Sequence, residues 1–282
     1  MKRQALPWRY GVCAAWLVAL TCWVAGARAT EEVPFITTPD KVTLAMLQIA
    51  KVGPKDYVID LGSGDGRIVI LAAKRFGARG LGVEIVPDLV QRSRTLAERA
   101  GVAGRAEFRE QDLFKTDLSA ASVITMYLLP EVNLQLRPAL LALKPGTRIV
   151  SHDWDMGDWL PDRTITLEVP EKSIGLEKRS RVHLWVVPMR VEGLWCSPGL
   201  RGGYSLHISQ VFQQLRLRVP GVQGLNARVD GTELRSFGPG GDELHLLSIG
   251  DRLQVTRARG ALAPMAGSVF TRAAVPACPQ ER

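Results

Sequence analysis

Residues 58–73 read VIDLGSGDGRIVILAA, and the run changes its period in the middle. Val58 to Leu61 form a short, mostly apolar stretch. Glycines at 62, 64 and 66 then occupy every second position, and from Arg67 the apolar residues recur at helical spacing. A chain with that pattern is confined to strand, tight turn and helix, the opening unit of a parallel α/β sheet. The unit is repeated. In TPDKVTLAMLQIAKVG, Thr38 is the expected cap, Pro39 the first helical residue, and Val42, Met46 and Ile49 share one face, which predicts a helix running to Gly53. DYVIDLG is a buried strand, and DGRIVILAAKRFG a helix ended by Gly77. GLGVEI, AEFREQD, ASVITMYL and TRIVSHDW supply four more strands, most of them separated by helical segments, so five parallel strands should be covered on both faces. TITLEV and RVHLWVVP should add an antiparallel pair at one edge. After Pro188 the pattern becomes apolar–polar alternation broken by turns such as PGVQG and GPGGD, which predicts a small all-β domain over 190–275, a barrel or a sandwich.

Ligands of open parallel sheets sit at the carboxyl ends of the strands, so the glycine loop is where chemistry is expected. Its register excludes a dinucleotide motif, because the third glycine of G-x-G-x-x-G would fall on Arg67. Its charge excludes a phosphate cradle: Asp60 precedes the loop, Asp65 lies inside it, and the lysine of a P-loop is missing. Carboxylates there suit a ligand carrying an ammonium or a sulfonium. S-adenosylmethionine carries both and has no phosphate. Glu84 ends the second strand, where an acid can accept from both ribose hydroxyls. Asp112 ends the third, where a side chain can accept from the adenine amino group with Leu113 against the ring. The expected cofactor residues on this reading are Asp60, Gly62, Ser63, Gly64, Gly66, Glu84, Asp112 and Leu113.

Other constellations carry less. Residues 30–188 hold 21 basic and 21 acidic side chains, and 189–282 hold 11 and 7. The neutral body argues against a nucleic-acid groove. The tail's arginines are spread out, as on a solvated surface. His152, His183, His207 and His245 are too scattered to form a ligand set, and no metal is expected. His152 is expected to be a hydrogen-bonded structural residue. In DWDMGDW, Trp154 and Trp159 are expected to wall the substrate side, while Trp185 and Trp195 belong to cores.

VIDLGSGDGRI, GVEI and QDLF together resemble the class I S-adenosylmethionine-dependent methyltransferases over about Pro34 to Pro188. The resemblance implies a Rossmann-like methyltransferase fold, a seven-stranded sheet with a reversed last strand. PFITTP, DLGSGDGRIVI, YLLPEVNLQLRPALLALKPGTRIVSHDW and GDW are similar, more narrowly, to the small protein-lysine methyltransferases of the ATP synthase c subunit and the adenine nucleotide translocase, and to their prokaryotic relatives. By that similarity Asp60 and Gly62, Gly64 and Gly66 shape the methionine end of the site. Thr37 and Thr38 close over the cofactor, and Tyr127 to Pro130 line a methyl-transfer channel. The implied activity is N-methylation of a protein lysine, with Tyr127 orienting the amine and Asp153 receiving a proton or pairing with the ammonium. A small-molecule methyltransferase and a binding module without turnover are the alternatives.

The segment 1–29 stands apart. Lys2, Arg3 and Arg9 precede an apolar run from Gly11 to Ala27, and Ala27-Arg28-Ala29 offers small residues for a signal peptidase. The run is 17 residues long, at the short end of the roughly 17–25 that span a bilayer. The expectation is an exported protein, either periplasmic after cleavage of 1–29 or membrane-anchored through residues 11–27. Of its four cysteines only Cys196 and Cys278 lie beyond this segment, and they are the candidates for one bridge.

Overall fold

The computed structural model describes residues 36–172, 177–198, 203–274 and 277–278. The segment 1–29, with its expected processing site, lies outside the described residues. Five parallel strands, β1 (Tyr57–Leu61), β2 (Arg79–Glu84), β3 (Ala106–Glu110), β4 (Val123–Met126) and β5 (Arg148–His152), are joined by β6 (Arg163–Glu168) and β7 (Arg179–Val186) in the order β3-β2-β1-β4-β5-β7-β6. β7 is antiparallel to both β5 and β6. The expected edge pair is therefore present, but its second strand is inserted next to β5 and its first becomes the rim. The sheet is the seven-stranded one expected, with its last strand reversed.

Side chains alternate across β1, β4 and β5, and each face has its own core. Val58, Val123 and Val150 pack with Val42 and Met46 of α1 (Asp40–Ile49) and with Ile68 and Ala72 of α2 (Arg67–Phe76). Ile59, Ile124 and Ile149 pack on the other face with Leu136 and Leu140 of α4 (Pro130–Leu141) and with Trp159 and Trp185. A further core joins Val69 and Ala73 to Phe108 of β3 and to Val90 and Ala97 of α3 (Pro87–Arg99). Strands buried on both faces explain the near-continuous apolar runs. α2 stops at Gly77, whose φ of 70° is the left-handed closure expected there.

Two expectations need correction. Thr38 does not cap α1: Pro39 holds the cap position, without a side-chain cap bond, and the helix ends at Ile49, short of Gly53. Trp159 does not wall a substrate loop. It is fully buried, with its ring 6.0 Å from that of Phe212 and its indole N–H donating to Gln213 Oε1 at 2.9 Å. Trp185 and Trp195 are core residues, as expected.

Phe212 and Gln213 belong to the second domain. Strands β8 (Gly193–Ser197), β9 (Tyr204–Val211), β10 (Gln214–Arg218), β11 (Leu225–Asp230), β12 (Glu233–Phe237), β13 (Glu243–Ile249), β14 (Arg252–Arg259) and β15 (Val269–Arg272) close into an antiparallel barrel. Inward leucines, valines and Phe270 fill it, so it encloses a core rather than a ligand. A Cys196–Cys278 disulfide joins the chain beyond β15 to β8. Asp162, just before β6, accepts from Val186 N and Gln213 Nε2 and pairs with Arg228, tying the barrel to the sheet.

Candidate active site

The order of strands reverses between β1 and β4, and the glycine loop lies at the carboxyl end of that junction. Gly62, Gly64 and Gly66 all have positive φ, at 72°, 54° and 79°. The amides of Gly62 and Ser63 both donate to Val83 O, which folds the loop over β2. Gly66 is sterically compelled as well. A Cβ there would lie 2.6 Å from the Phe108 ring and 2.8 Å from Ser93 Cβ, so only glycine lets α2 begin this close to β3 and α3. Ser63 is buried above Gly82, and its hydroxyl has no hydrogen-bond partner among the described residues.

β1, β2 and β3 are adjacent, so the three acids expected to hold the cofactor stand along one edge rather than scattered. Asp60 is buried and accepts the Thr125 hydroxyl at 2.6 Å. Burial pushes its pKa up to about 7. Thr125 opposes that rise, and the charges of Glu84 and Asp65 add to it. Glu84 is oriented by three backbone amides: Gly64 N on one oxygen at 3.0 Å, and Ile85 N and Val86 N on the other at 2.8 and 3.0 Å. Asp112 accepts from Phe114 N at 2.9 Å and opens a single 3-10 turn that begins with Leu113, which packs against the sheet core.

Asp65 proves not to be a free charge. Arg67 grips it through Nε at 3.0 Å and Nη2 at 2.7 Å, and although burial raises its pKa, those hydrogen bonds and that charge hold it below the usual carboxylate range. The same guanidinium donates to Thr38 O at 2.8 Å, tying the segment before α1 to the glycine loop. A loop bounded by a half-neutralised buried acid and two further carboxylates has a deficit of positive charge. That fits a phosphate-free nucleoside bearing a cationic group and disfavours a pyrophosphate.

Beside the loop opens a cleft of about 330 Å³, lined by Thr37, Asp40, Arg67, Tyr127, His152 and Lys172 among others. Tyr127 follows β4, and His152 ends β5 with its ring centroid 4.0 Å from that of Tyr127. Burial, and then the charge of Asp153, push the Tyr127 hydroxyl up to about 12, so it stays protonated. His152 is buried between Ser180 Oγ at 2.9 Å and Thr38 Oγ1 at 3.3 Å, and burial pushes its pKa down to about 4. It is hydrogen-bonded, as expected, and neutral.

Asp153 sits with φ at 63°, accepting from Arg181 N at 2.9 Å, and its Oδ2 lies 2.7 Å from Lys172 Nζ. Its carboxylate is thus already occupied by a lysine ammonium. Three contributors escape sequence reasoning. Arg67 stands out in the sequence only as the wrong residue for a glycine motif, and Lys172 lies in the turn after β6 with no motif around it. Asn133, buried on α4, donates toward Trp154 O and Asp155 O and so shapes the loop after β5. Its one signal is a polar residue on an apolar helix face.

The model of a family described as the ANTKMT methyltransferase domain matches residues 60–163. A protein-lysine N-methyltransferase of Saccharolobus islandicus is 46% identical over 139 residues, covering 49% of this chain and 86% of that protein. The mouse lysine N-methyltransferase of the ATP synthase c subunit is 42% identical over 108 residues, or 38% of this chain and 43% of that protein. Among solved structures, an RNA methyltransferase from Salinibacter ruber in complex with S-adenosyl-L-homocysteine is 51% identical, with a TM-score of 0.51, covering 55% of this chain and 96% of that one. The first two of these matches cover about half of this chain or less.

Proposed function

We propose that this chain, which belongs to the family of S-adenosylmethionine-dependent protein-lysine methyltransferases, transfers a methyl group to the ε-amino group of a lysine in a protein acceptor. The observation that carries this reading is the pairing of Asp153 with a lysine ammonium inside a cleft that adjoins the glycine loop.

S-adenosylmethionine, when bound, supplies an electrophilic methyl carbon. Asp60 would face its ammonium, Glu84 its ribose hydroxyls and Asp112 its adenine amino group, with Leu113 against the ring and Thr38 held over the loop by Arg67. On the acceptor side, exposed Asp40 and Glu171 border the cleft and attract a cation. Asp153 receives the incoming ammonium. A lysine of reference pKa about 10.4 must then lose a proton, which the partly apolar cleft favours. The Tyr127 hydroxyl, protonated throughout, offers an oxygen lone pair to orient the amine. Positioning and exclusion of water supply the acceleration, so no dedicated base is required.

The RNA methyltransferase among the similar structures favours a second reading, an RNA acceptor. The acids at the cleft mouth and the equal numbers of basic and acidic residues over 30–188 weigh against it. We further propose that the protein works outside the cytosol, delivered by 1–29 as a cleaved signal or an anchor, on a lysine of a membrane protein. The disulfide supports an oxidising compartment. Calorimetry with S-adenosylhomocysteine, followed by tritiated-methyl incorporation into membrane protein, soluble protein, small-molecule and RNA fractions, tests the acceptor. Label in RNA or in small molecules alone defeats the lysine reading, and binding without any incorporation leaves only a binding module. A fusion of residues 1–40 to a reporter active only after export tests the location.

A further inference from the structure

Lys172 is held inside the cleft in the manner proposed for an acceptor. Its side chain is 14% exposed, and its Nζ lies 2.7 Å from Asp153 Oδ2 and 2.6 Å from Arg179 O. Its backbone amide donates to Val169 O, so the turn after β6 presents it from a fixed base. The other cation lining the cleft, Arg67, is committed to Asp65 and Thr38 O, and a guanidinium does not give up its proton to become a nucleophile. The rings of Tyr127 and His152 line the same space. A nucleophile attached to the protein and already oriented has an effective concentration far above that of any acceptor arriving from solution.

We propose that Lys172 is itself a methylation site of this enzyme, modified in cis when no outside lysine displaces it from Asp153. The inference rests on the lysine-methyltransferase reading above. In the step, Lys172 Nζ first loses a proton to water through Asp153, and its lone pair attacks the methyl carbon. The N–C bond forms as the C–S bond breaks, and the sulfur keeps the bonding pair and becomes a neutral thioether. The products are N-methyl-lysine, S-adenosylhomocysteine and one released proton. Repetition ends at a trimethylammonium, which has no N–H to donate to Asp153 or to Arg179 O. Methylation therefore frees the Asp153 carboxylate for an outside lysine.

The test uses the full-length purified chain with tritiated S-adenosylmethionine, peptide mass mapping, and a panel of lysine-bearing membrane extracts as outside acceptors. The expected result is a methylated Lys172, appearing at a per-molecule rate that does not change on tenfold dilution of the protein. Lys172→Arg should lose that label while still binding S-adenosylhomocysteine, which shows the variant to be folded. Label in the extract, with Lys172 unmodified even when the chain is incubated with the cofactor and no extract, overturns the inference and leaves the function standing. So does label on Lys172 whose rate falls with dilution. Cofactor binding with no label anywhere overturns both.

Discussion

The Asp60 carboxylate accepts the Thr125 hydroxyl across the β1–β4 junction at 2.6 Å, in a site that buries both residues. This single bond is set against burial and the charges of Glu84 and Asp65, and the balance leaves Asp60 titrating at about 7. A carboxyl raised in the fold binds its proton more tightly there than in the unfolded chain. Its stabilising contribution is full below the unfolded value and is lost as pH rises through about 7. Binding of an ammonium-bearing ligand runs the other way, because it favours the carboxylate. Affinity for S-adenosylhomocysteine should therefore tighten by about tenfold between roughly pH 6 and pH 8, with proton release on binding. Calorimetry in two buffers of different ionisation enthalpy checks it, and Asp60→Asn should bind weakly with a flat profile.

Gly66→Ala should cost at least about 2 kcal/mol of stability, since the new methyl must enter the Phe108 ring at a backbone angle that side chains avoid. Urea unfolding gives the difference. An unchanged midpoint would show that α2 can retreat from β3.

Tyr127→Phe keeps the ring against His152 and removes the hydroxyl. The expected outcome is a fall of about tenfold to a hundredfold in kcat/KM for the protein acceptor, the worth of one hydrogen bond in a desolvated site. Because the hydroxyl titrates at about 12, the shape of the rate profile below that range should be the same in both enzymes. A lost limb in the variant would mean that Tyr127 carries a proton in the reaction.

Reduction of the Cys196–Cys278 bridge, or Cys278→Ser, opens a loop spanning 82 residues. The chain-entropy model puts its contribution at roughly 4 kcal/mol. Thermal melts with and without reductant should show a lower transition for the barrel, while S-adenosylhomocysteine binding, at the far edge of the sheet, is retained.

Most of the cofactor side is legible in the residues themselves. Asp60 and Glu84 lie at the ends of strands whose period is local. Asp112, expected to end the third strand, instead caps the 3-10 turn two residues beyond β3, because its carboxylate takes up the Phe114 amide, yet the adjacency of the three strands still brings the acids to one edge. Gly62, Gly64 and Gly66 announce a tight turn, because glycine takes positive φ at the least cost. Local pattern misleads where a long-range partner decides. Thr38 has the composition of a cap, but its segment is tied to His152 and Arg67. Trp159 sits in a loop rich in aspartates, yet the barrel buries it.

From its residues alone, the chain determined which segments are strands and helices and which ligand its first turn suits, because periodicity and glycine geometry act over a few neighbours. Only the tertiary structure decided the insertion of β7 beside β5, the closure of eight short strands into a barrel, and the meeting of Lys172 with Asp153. Those depend on pairings across the sheet and between domains, where partners many residues apart compete for the same surface and no local pattern records which one wins.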